Sequence, residues 1–285
     1  MVLSLEDQMV DRVLFDPWVK GELAKVSAIP SKTGWSPLPS GFRQLMSSFP
    51  DLALATDCSS YDWTVQEWVV LELLECKLAQ CGDCPVYKDL VRARFRQVLR
   101  DAVIRLPDGS RWQQQGWGLM KSGWLLTINV NSGTQFLNNA LAWIRSHTGD
   151  IPEIWVMGDD VLLAWSDHYS QETFERALGE LGVLVKRGNL IREFAGFRFG
   201  VVDGRYCVEP AYPEKHDFML RHVSEPQREE VATAYMMLYS MSESAQGRLV
   251  REVVRPYAML NPTLARAWAH GAKMPSAFRA PLCGR

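Results

Sequence analysis

The chain has 285 residues, 47% of them hydrophobic and 22% charged, which is ample for a sizeable core in one large domain or two. A formal net charge of −2 excludes any chain-wide electrostatic pull toward nucleic acid, so a nucleic-acid site would have to be a local basic surface. No apolar run approaches the ~18 residues that span a bilayer, and the opening MVLSLEDQMVDR lacks the basic-then-apolar profile of a secretory signal. The expectation is a soluble protein, at most peripherally membrane-associated. Six cysteines (58, 76, 81, 84, 207 and 283) follow no disulfide framework, and the CxxC at 81–84 has no second pair or nearby His to complete a zinc site. Free thiols in an intracellular protein are the simpler reading.

In chain order, residues 5–25 read as an amphipathic helix, with Leu5, Met9, Val13 and Leu14 at helical spacing. AIPSKTGWSPLPSG (28–41) is a Pro/Gly/Ser-rich loop. LALAT (52–56) is a short strand of buried type that runs into DCSSYDW, and a helix follows over about 65–80. Thr64-Val-Gln-Glu67 has the form of a capping box at that helix's start. CGDCP (81–85) breaks the helix, and VRARFRQVLRDAVIR suggests another with a basic face. LPDGSRW (106–112) carries an Asp-Gly hairpin signal. Residues 123–146 look helical, IWVM and VLLAW read as strands, 171–182 as a helix and VLVK as a strand. FAGFRFG and RYCVEP, joined across Asp203-Gly204, form a second hairpin, and the pattern turns helical from about 225. The class is α+β.

Between IWVM and VLLAW stand Gly158, Asp159 and Asp160. Adjacent carboxylates repel and resist leaving water, so a bound cation is the natural compensation; the bland alternative is a solvated hairpin tip. Asp57 ends the LALAT strand, where a plain turn residue is the bland alternative, and Asp62 lies five residues on. An N-cap is the ordinary job for Asp62, but Thr64 with Glu67 already fits that role. The segment MKSGWLLTINVNSGTQFLNNALAW places Gly123, Thr127 and Asn131 four apart, hence on one helical face. Its Thr, Asn, Ser and Gly residues are poor helix formers. Small-residue helix packing accounts for Gly133; two asparagines suggest a ligand carrying hydroxyls and phosphates.

D-x4-D at 57–62, S-G-x3-T-x3-N at 122–131 and G-D-D at 158–160, in that order, resemble motifs A, B and C of viral RNA-dependent RNA polymerases. Lys186 stands where a motif D lysine would, Glu193-Phe194-Ala195-Gly196-Phe197 resembles motif E, and VLSLEDQMVDRVLF resembles the segment after motif F in sobemovirus, polerovirus and barnavirus polymerases. The resemblance covers most of residues 1–200. It implies a right-hand polymerase: an antiparallel palm at 51–80 and 116–210, partial fingers at 1–50, a fingers insertion at 81–115 and a helical thumb at 211–285. It further implies positive-strand RNA virus replication, in the host cytoplasm at membrane-associated replication complexes, with viral or host proteins of those complexes as partners.

By the same resemblance, Asp57 and Asp159, helped by Asp160, would hold Mg²⁺, with Mn²⁺ as substitute, for nucleotidyl transfer to an RNA 3′-hydroxyl on a template. Lys186 would donate a proton to pyrophosphate, its alternative being a solvated strand-end lysine. Asp62, Ser122, Thr127 and Asn131 would surround the ribose 2′-hydroxyl of the ribonucleoside triphosphate, and Gly123 would free the loop before the helix. Arg92, Arg94, Arg96 and Arg100 could follow the template backbone, although a solvated face is the commoner fate of such a run. The basic motif F would lie upstream of Met1, which leaves a second reading: an RNA-binding polymerase fragment without catalysis.

Overall fold

The computed structural model describes residues 3–274; positions 275–285, the end of the expected thumb, lie outside the described residues. In chain order the elements are α1 (Leu5–Ala24), α2 (Gly41–Ser48), β1 (Leu52–Cys58), α3 (Tyr61–Thr64), α4 (Glu67–Ala79) and α5 (Pro85–Leu99). There follow β2 (Val103–Arg105), β3 (Arg111–Gln113), α6 (Thr127–Ser146), β4 (Ile154–Met157), β5 (Asp160–Trp165), α7 (Gln171–Glu180) and β6 (Val185–Leu190). The remainder comprises β7 (Glu193–Phe194), β8 (Phe197–Val202), β9 (Arg205–Pro210), α8 (Pro213–Arg221), a 3₁₀ turn at Glu225–Gln227, α9 (Arg228–Leu238), α10 (Ala245–Val254) and α11 (Pro262–Ala269).

The chain divides into two compact units. One is built from the residues up to Gly34 together with Asp51–Leu190, the other from Trp35–Pro50 together with the residues from Ile191 on. In the first, an antiparallel sheet of order β4-β5-β1-β6 is the centrepiece. β1 lies between β5 and β6, so its alternate residues Leu54 and Thr56 and its neighbour Ala53 are buried, while the polar Asp57 surfaces at the strand's end. The outer edge of β4 is covered by residues 30–32, where Lys32 N–H donates to Val156 O at 2.8 Å and Val156 N–H to Pro30 O at 3.1 Å. That cover removes an exposed sheet edge. Lys32 is itself buried, its ammonium 2.6 Å from Ile29 O and 4.4 Å above the Trp155 ring, a position that lowers its pKa through burial.

Helices α4 and α6 pack closely, and Gly133 makes that approach possible: a Cβ there would lie 2.6 Å from Leu73 Cδ1. The core of this unit runs through Phe15, Val70, Leu74, Phe95, Trp124 and Leu163, where Phe95 meets Trp124 edge-on at 5.2 Å.

Three expectations need correction. The apolar stripe of α1 is not its buried face: Leu5, Met9 and Val13 are 61–81% exposed, and the helix buries Phe15 and Asp11 instead. Tertiary pairing explains it, because Asp11 Oδ1 accepts from Arg94 Nε at 2.8 Å and Asp11 Oδ2 from Arg94 Nη2 at 3.1 Å. The Thr64–Glu67 capping box does not form. Thr64 closes α3 with its hydroxyl 3.3 Å from Tyr61 O, and Gln66 becomes the cap residue of α4 without a side-chain bond. Lastly, the basic helix stops at Leu99, and Val103–Arg105 leaves it as a strand paired with β3 across the Asp-Gly turn.

In the second unit, β7, β8 and β9 form an antiparallel sheet of two consecutive hairpins. Both loops are two residues long with both residues at positive φ, Ala195-Gly196 (51° and 75°) and Asp203-Gly204 (49° and 73°), as the type I′ turn requires. The Glu209 carboxylate on β9 accepts from the Glu243 and Ser244 backbone N–H groups at 2.6 and 2.9 Å. It thereby fixes the start of α10, which Ser244 caps through Gly247 N–H at 3.0 Å. α9, α10 and α11 enclose a core of Met236, Tyr239, Val254, Leu260 and Ala265. Pro262 starts α11 at a position where no N–H is needed.

Candidate active site

Register brings the separated acids together. β1 and β5 are antiparallel with Thr56 opposite Val161, so the next rung sets Asp57 level with Asp160. Neighbouring strands stand about 4.8 Å apart. β4 and β5 close with Met157 opposite Asp160, leaving Gly158-Asp159 as a two-residue loop beside the end of β1. Gly158 has φ +65° while Asp159 is not in the left-handed region, the pattern of a turn that wants glycine first. A Cβ at Gly158 would meet nothing within 4 Å, so conformation rather than space calls for glycine. Asp57, Asp159 and Asp160 are all exposed. Burial pushes the Cys58 thiol up to about 11; a hydrogen bond from Gln135 opposes this, and the charges of Asp159, Asp57 and Asp160 add to it.

On the other flank, the pairing of β1 with β6 shifts between Asp57 and Cys58, which stand opposite Arg187 and Val185. Lys186 is the extra residue of that bulge, and bulges commonly re-aim a side chain. Its ammonium lies 3.4 Å from Asp57 Oδ2, with the two side chains 68% and 51% exposed, so the pair contributes little to stability.

A second cluster gathers on Asp62 in α3. Asn131 Nδ2 donates to Asp62 Oδ1 at 2.7 Å, Ser122 Oγ to Asp62 Oδ2 at 3.3 Å, and Met120 N–H to Asp62 O at 2.7 Å. Asn131 Oδ1 is buried with no hydrogen-bond partner among the described residues. Thr127 does not join this cluster. Its hydroxyl lies 2.6 Å from Lys121 O and 2.9 Å from Trp124 O, which ties down the loop that carries Ser122. Gly123 lies in that exposed turn, since α6 begins only at Thr127. The one-face alignment of 123, 127 and 131 therefore holds for Thr127 and Asn131 alone.

The arginine run is largely committed elsewhere. Arg94 is 4% exposed and also reaches Asp7 at 2.8 Å, Arg92 pairs with Glu75 at 3.0 Å, and Arg96 and Arg100 pair with Asp101 at 2.8 and 3.4 Å.

Two features near the site were missed in reading the sequence. Lys121, just before Ser122, is 3% exposed; it donates to Leu119 O at 2.8 Å and to Gln114 Oε1, and burial pulls its pKa down to about 8. Gln135, wholly buried on α6, donates to Cys58 Sγ at 3.1 Å and to Asp159 O at 3.4 Å. For Gln135 the signal available was the run of polar residues at 131, 132, 134, 135, 138 and 139 within a helix flanked by apolar runs; Lys121 had none. A cavity of about 540 Å³ lies elsewhere, between α1, α4 and α6, bordered by Trp18, Glu22, Lys77, Asn129 and Phe136 rather than by the carboxylates.

For a metal, the donor set is chemically apt: Asp57, Asp159 and Asp160 offer hard carboxylate oxygens at the surface, the ligands Mg²⁺ and Mn²⁺ prefer. Among the described residues, no three His, Cys, Asp or Glu side chains are grouped so as to hold a metal ion by themselves. A cation here would take ligands from a bound substrate as well, which is how Mg²⁺ is commonly held.

An antiparallel sheet displaying an acid at a central strand's end beside a Gly-Asp-Asp hairpin, backed by a polar helix, defines a polymerase palm. The family model described as viral RNA-dependent RNA polymerase matches residues 3–199. The chain belongs to that family. Replicase polyprotein P2AB of Southern bean mosaic virus is 34% identical over 173 residues, covering 58% of this chain and 17% of that protein. Protein P1-P2 of Turnip yellows virus is 28% identical over 180 residues, covering 57% and 16%. The insertion loop deletion mutant of the RNA-dependent RNA polymerase of a human picorbirnavirus, a solved structure, aligns with a TM-score of 0.68 at 14% identity, over 93% of this chain and 54% of that one. At that identity the likeness establishes the fold. The chain thus spans about a sixth of the curated relatives it matches and about half of that solved polymerase.

Proposed function

We propose that this chain carries the catalytic palm of a template-directed RNA polymerase, which joins ribonucleoside triphosphates to an RNA 3′-hydroxyl and releases pyrophosphate. The observation that carries the reading is the register setting Asp57 level with the Asp159–Asp160 hairpin. Asp57 and Asp159, with Asp160 assisting, are the residues to hold Mg²⁺ or Mn²⁺. When bound, such ions supply Lewis-acid activation of the attacking hydroxyl and neutralise triphosphate charge. The rigid strands hold the carboxylates in place. Lys186, aimed at Asp57, is poised to give a proton to the leaving pyrophosphate.

Asp62, Ser122 and Asn131 would receive the ribose. A 2′-hydroxyl donating to the unpartnered Asn131 Oδ1 would satisfy an atom that a deoxyribose leaves buried and unpaired, which favours RNA precursors. Thr127 acts on this cluster through the loop it anchors. In this reading residues 51–80 and 116–210 are palm, 1–50 and 81–115 belong to the fingers, and the helices from 211 on form the thumb. Template and primer RNA are the partners, within a replication complex at host cytoplasmic membranes.

The test is primer extension by the purified chain on a primed RNA template with ribonucleotides and Mg²⁺ or Mn²⁺, with Asp159→Ala as control. Extension that vanishes in the variant is the expected result. RNA binding without extension in both proteins would instead favour a non-catalytic RNA-binding role.

A further inference from the structure

We infer that Ser132 and Gln135 are positioning residues for the carboxylate hairpin: α6 fixes the backbone of Gly158 and Asp159 through these two side chains, and so sets the separation of Asp57 from Asp159. The inference rests on the metal-binding role proposed for those carboxylates. Ser132 and Gln135 are three apart, hence on one face of α6, and both are completely buried.

A two-residue hairpin leaves its own central N–H and C=O groups outside the strand ladder, so they need partners from elsewhere. Gly158 N–H donates to Ser132 Oγ at 2.8 Å, and Asp159 O accepts from Gln135 Nε2 at 3.4 Å. Both side chains are oriented before they reach the turn. The Ser132 hydroxyl proton goes to Ile128 O at 2.7 Å, which leaves an oxygen lone pair for Gly158. Gln135 Oε1 accepts from Asn139 Nδ2 at 3.3 Å, which turns its amide so that the NH₂ faces the sheet. That NH₂ also meets Cys58 Sγ at 3.1 Å. A single amide therefore bridges the residue that follows Asp57 and the carbonyl of Asp159. The same helix presents Asn131 to Asp62, so one rigid element sets both the carboxylate edge and the ribose-facing cluster.

Plain core satisfaction of two polar side chains would make the same bonds, and the experiment separates the two roles. Ser132→Ala, Ser132→Thr and Gln135→Met are made in the full chain, with Asp159→Ala alongside. Mn²⁺ affinity is read by electron paramagnetic resonance without nucleotide, Gly158 amide exchange by hydrogen–deuterium exchange, and unfolding by thermal melt. Partners one step removed from a metal ligand alter its affinity by about 10–100-fold. Ser132→Ala and Gln135→Met should each weaken Mn²⁺ binding about tenfold, and Ser132→Ala should speed Gly158 exchange. Ser132→Thr, which keeps the hydroxyl, should restore both. In primer extension the same variants should lower kcat with little change in the KM for nucleotide.

Wild-type Mn²⁺ affinity in folded Ser132→Ala and Gln135→Met would overturn the inference while leaving the metal site standing, provided Asp159→Ala abolishes binding. Undiminished binding by Asp159→Ala would overturn the metal site and the positioning role together. Should one of the two variants lose its cooperative melt, the other decides alone.

Discussion

Replacing Arg94 by alanine should unfold the first unit far more readily than it weakens any hold on RNA. Asp11 is completely buried and takes both of its short ion-pair contacts from Arg94, at 2.8 and 3.1 Å. Burial pulls the Arg94 guanidinium's pKa down, yet hydrogen bonds to Asp11 and Asp7 more than reverse that, leaving it raised. Truncating one partner of such a pair strands a charge in the core, at about 3–5 kcal/mol. The Asp7 contact adds little, because that carboxylate is 33% exposed. For a chain of this size the loss corresponds to a fall in Tm of about 6–20 °C. Removing both charges with shape-matched apolar residues, Asp11→Leu with Arg94→Met, should be near neutral, since no charge is then left behind. The assay is a urea and thermal melt of the three proteins, paired with RNA binding across a salt series. An Arg94→Ala protein that melts like wild type would refute this reasoning. So would a double variant whose salt dependence falls by about one phosphate contact, because Arg94 would then be a backbone-tracking residue.

Gly158→Ala should destabilise by about 1–2 kcal/mol from backbone conformation alone, since φ is +65° and no atom stands within 4 Å of the added methyl; a denaturant melt measures it. Gly133→Ala should destabilise by about 1–3 kcal/mol through overpacking on Leu73, and Leu73→Ala in the same protein should recover part of that loss, as a double-mutant cycle would show. Asn131→Leu should reduce ribonucleotide over deoxyribonucleotide preference by about 10–100-fold in primer extension, since the group left unpaired by a deoxyribose is gone. The Glu209 carboxyl is pushed up by burial but held below its usual range by hydrogen bonds from Ser242, Cys207 and the Ser244 and Glu243 N–H groups. A folded pKa below the unfolded one means the contribution is present above about pH 4.5 and fades as pH falls through the folded value. Melts of wild type against Glu209→Gln should therefore converge in acid and diverge near neutrality.

Gly-Asp-Asp between two apolar runs was legible because a short polar break between strand-like runs is a local pattern, and β4, β5 and the Asp203-Gly204 turn follow from it or from similar local rules; the Ala195-Gly196 turn, inside a run read as one strand, and the start of α6 at Thr127 rather than residue 123 do not. The Asp62–Asn131–Ser122 cluster was legible through motif order. α1 shows where local pattern fails: its apolar stripe is the exposed face, because the buried Asp11 answers to Arg94 on another helix, and periodicity has no access to a partner so far along the chain. The capping box failed for a related reason. Met120 N–H bonds to Asp62 O, and α3 ends at Thr64, so the chain turns before the box can close.

The amino-acid sequence by itself determined which residues are candidates for the chemistry: carboxylates at 57, 62, 159 and 160, a polar helix read over 123–146 and formed over 127–146, and the glycines whose φ permits the turns, since residue type, spacing and order are properties of the string. Only the tertiary structure decided which side chains serve those residues. Antiparallel pairing of β1 with β5 set Asp57 level with Asp160, the β6 bulge aimed Lys186, and the packing of α6 beneath the sheet brought Ser132 and Gln135 to the hairpin backbone. The reason is that hydrogen bonds and ion pairs act over about 3 Å in space and are indifferent to separation along the chain. Only the packed core, by closing those separations, chooses among the partners that composition allows.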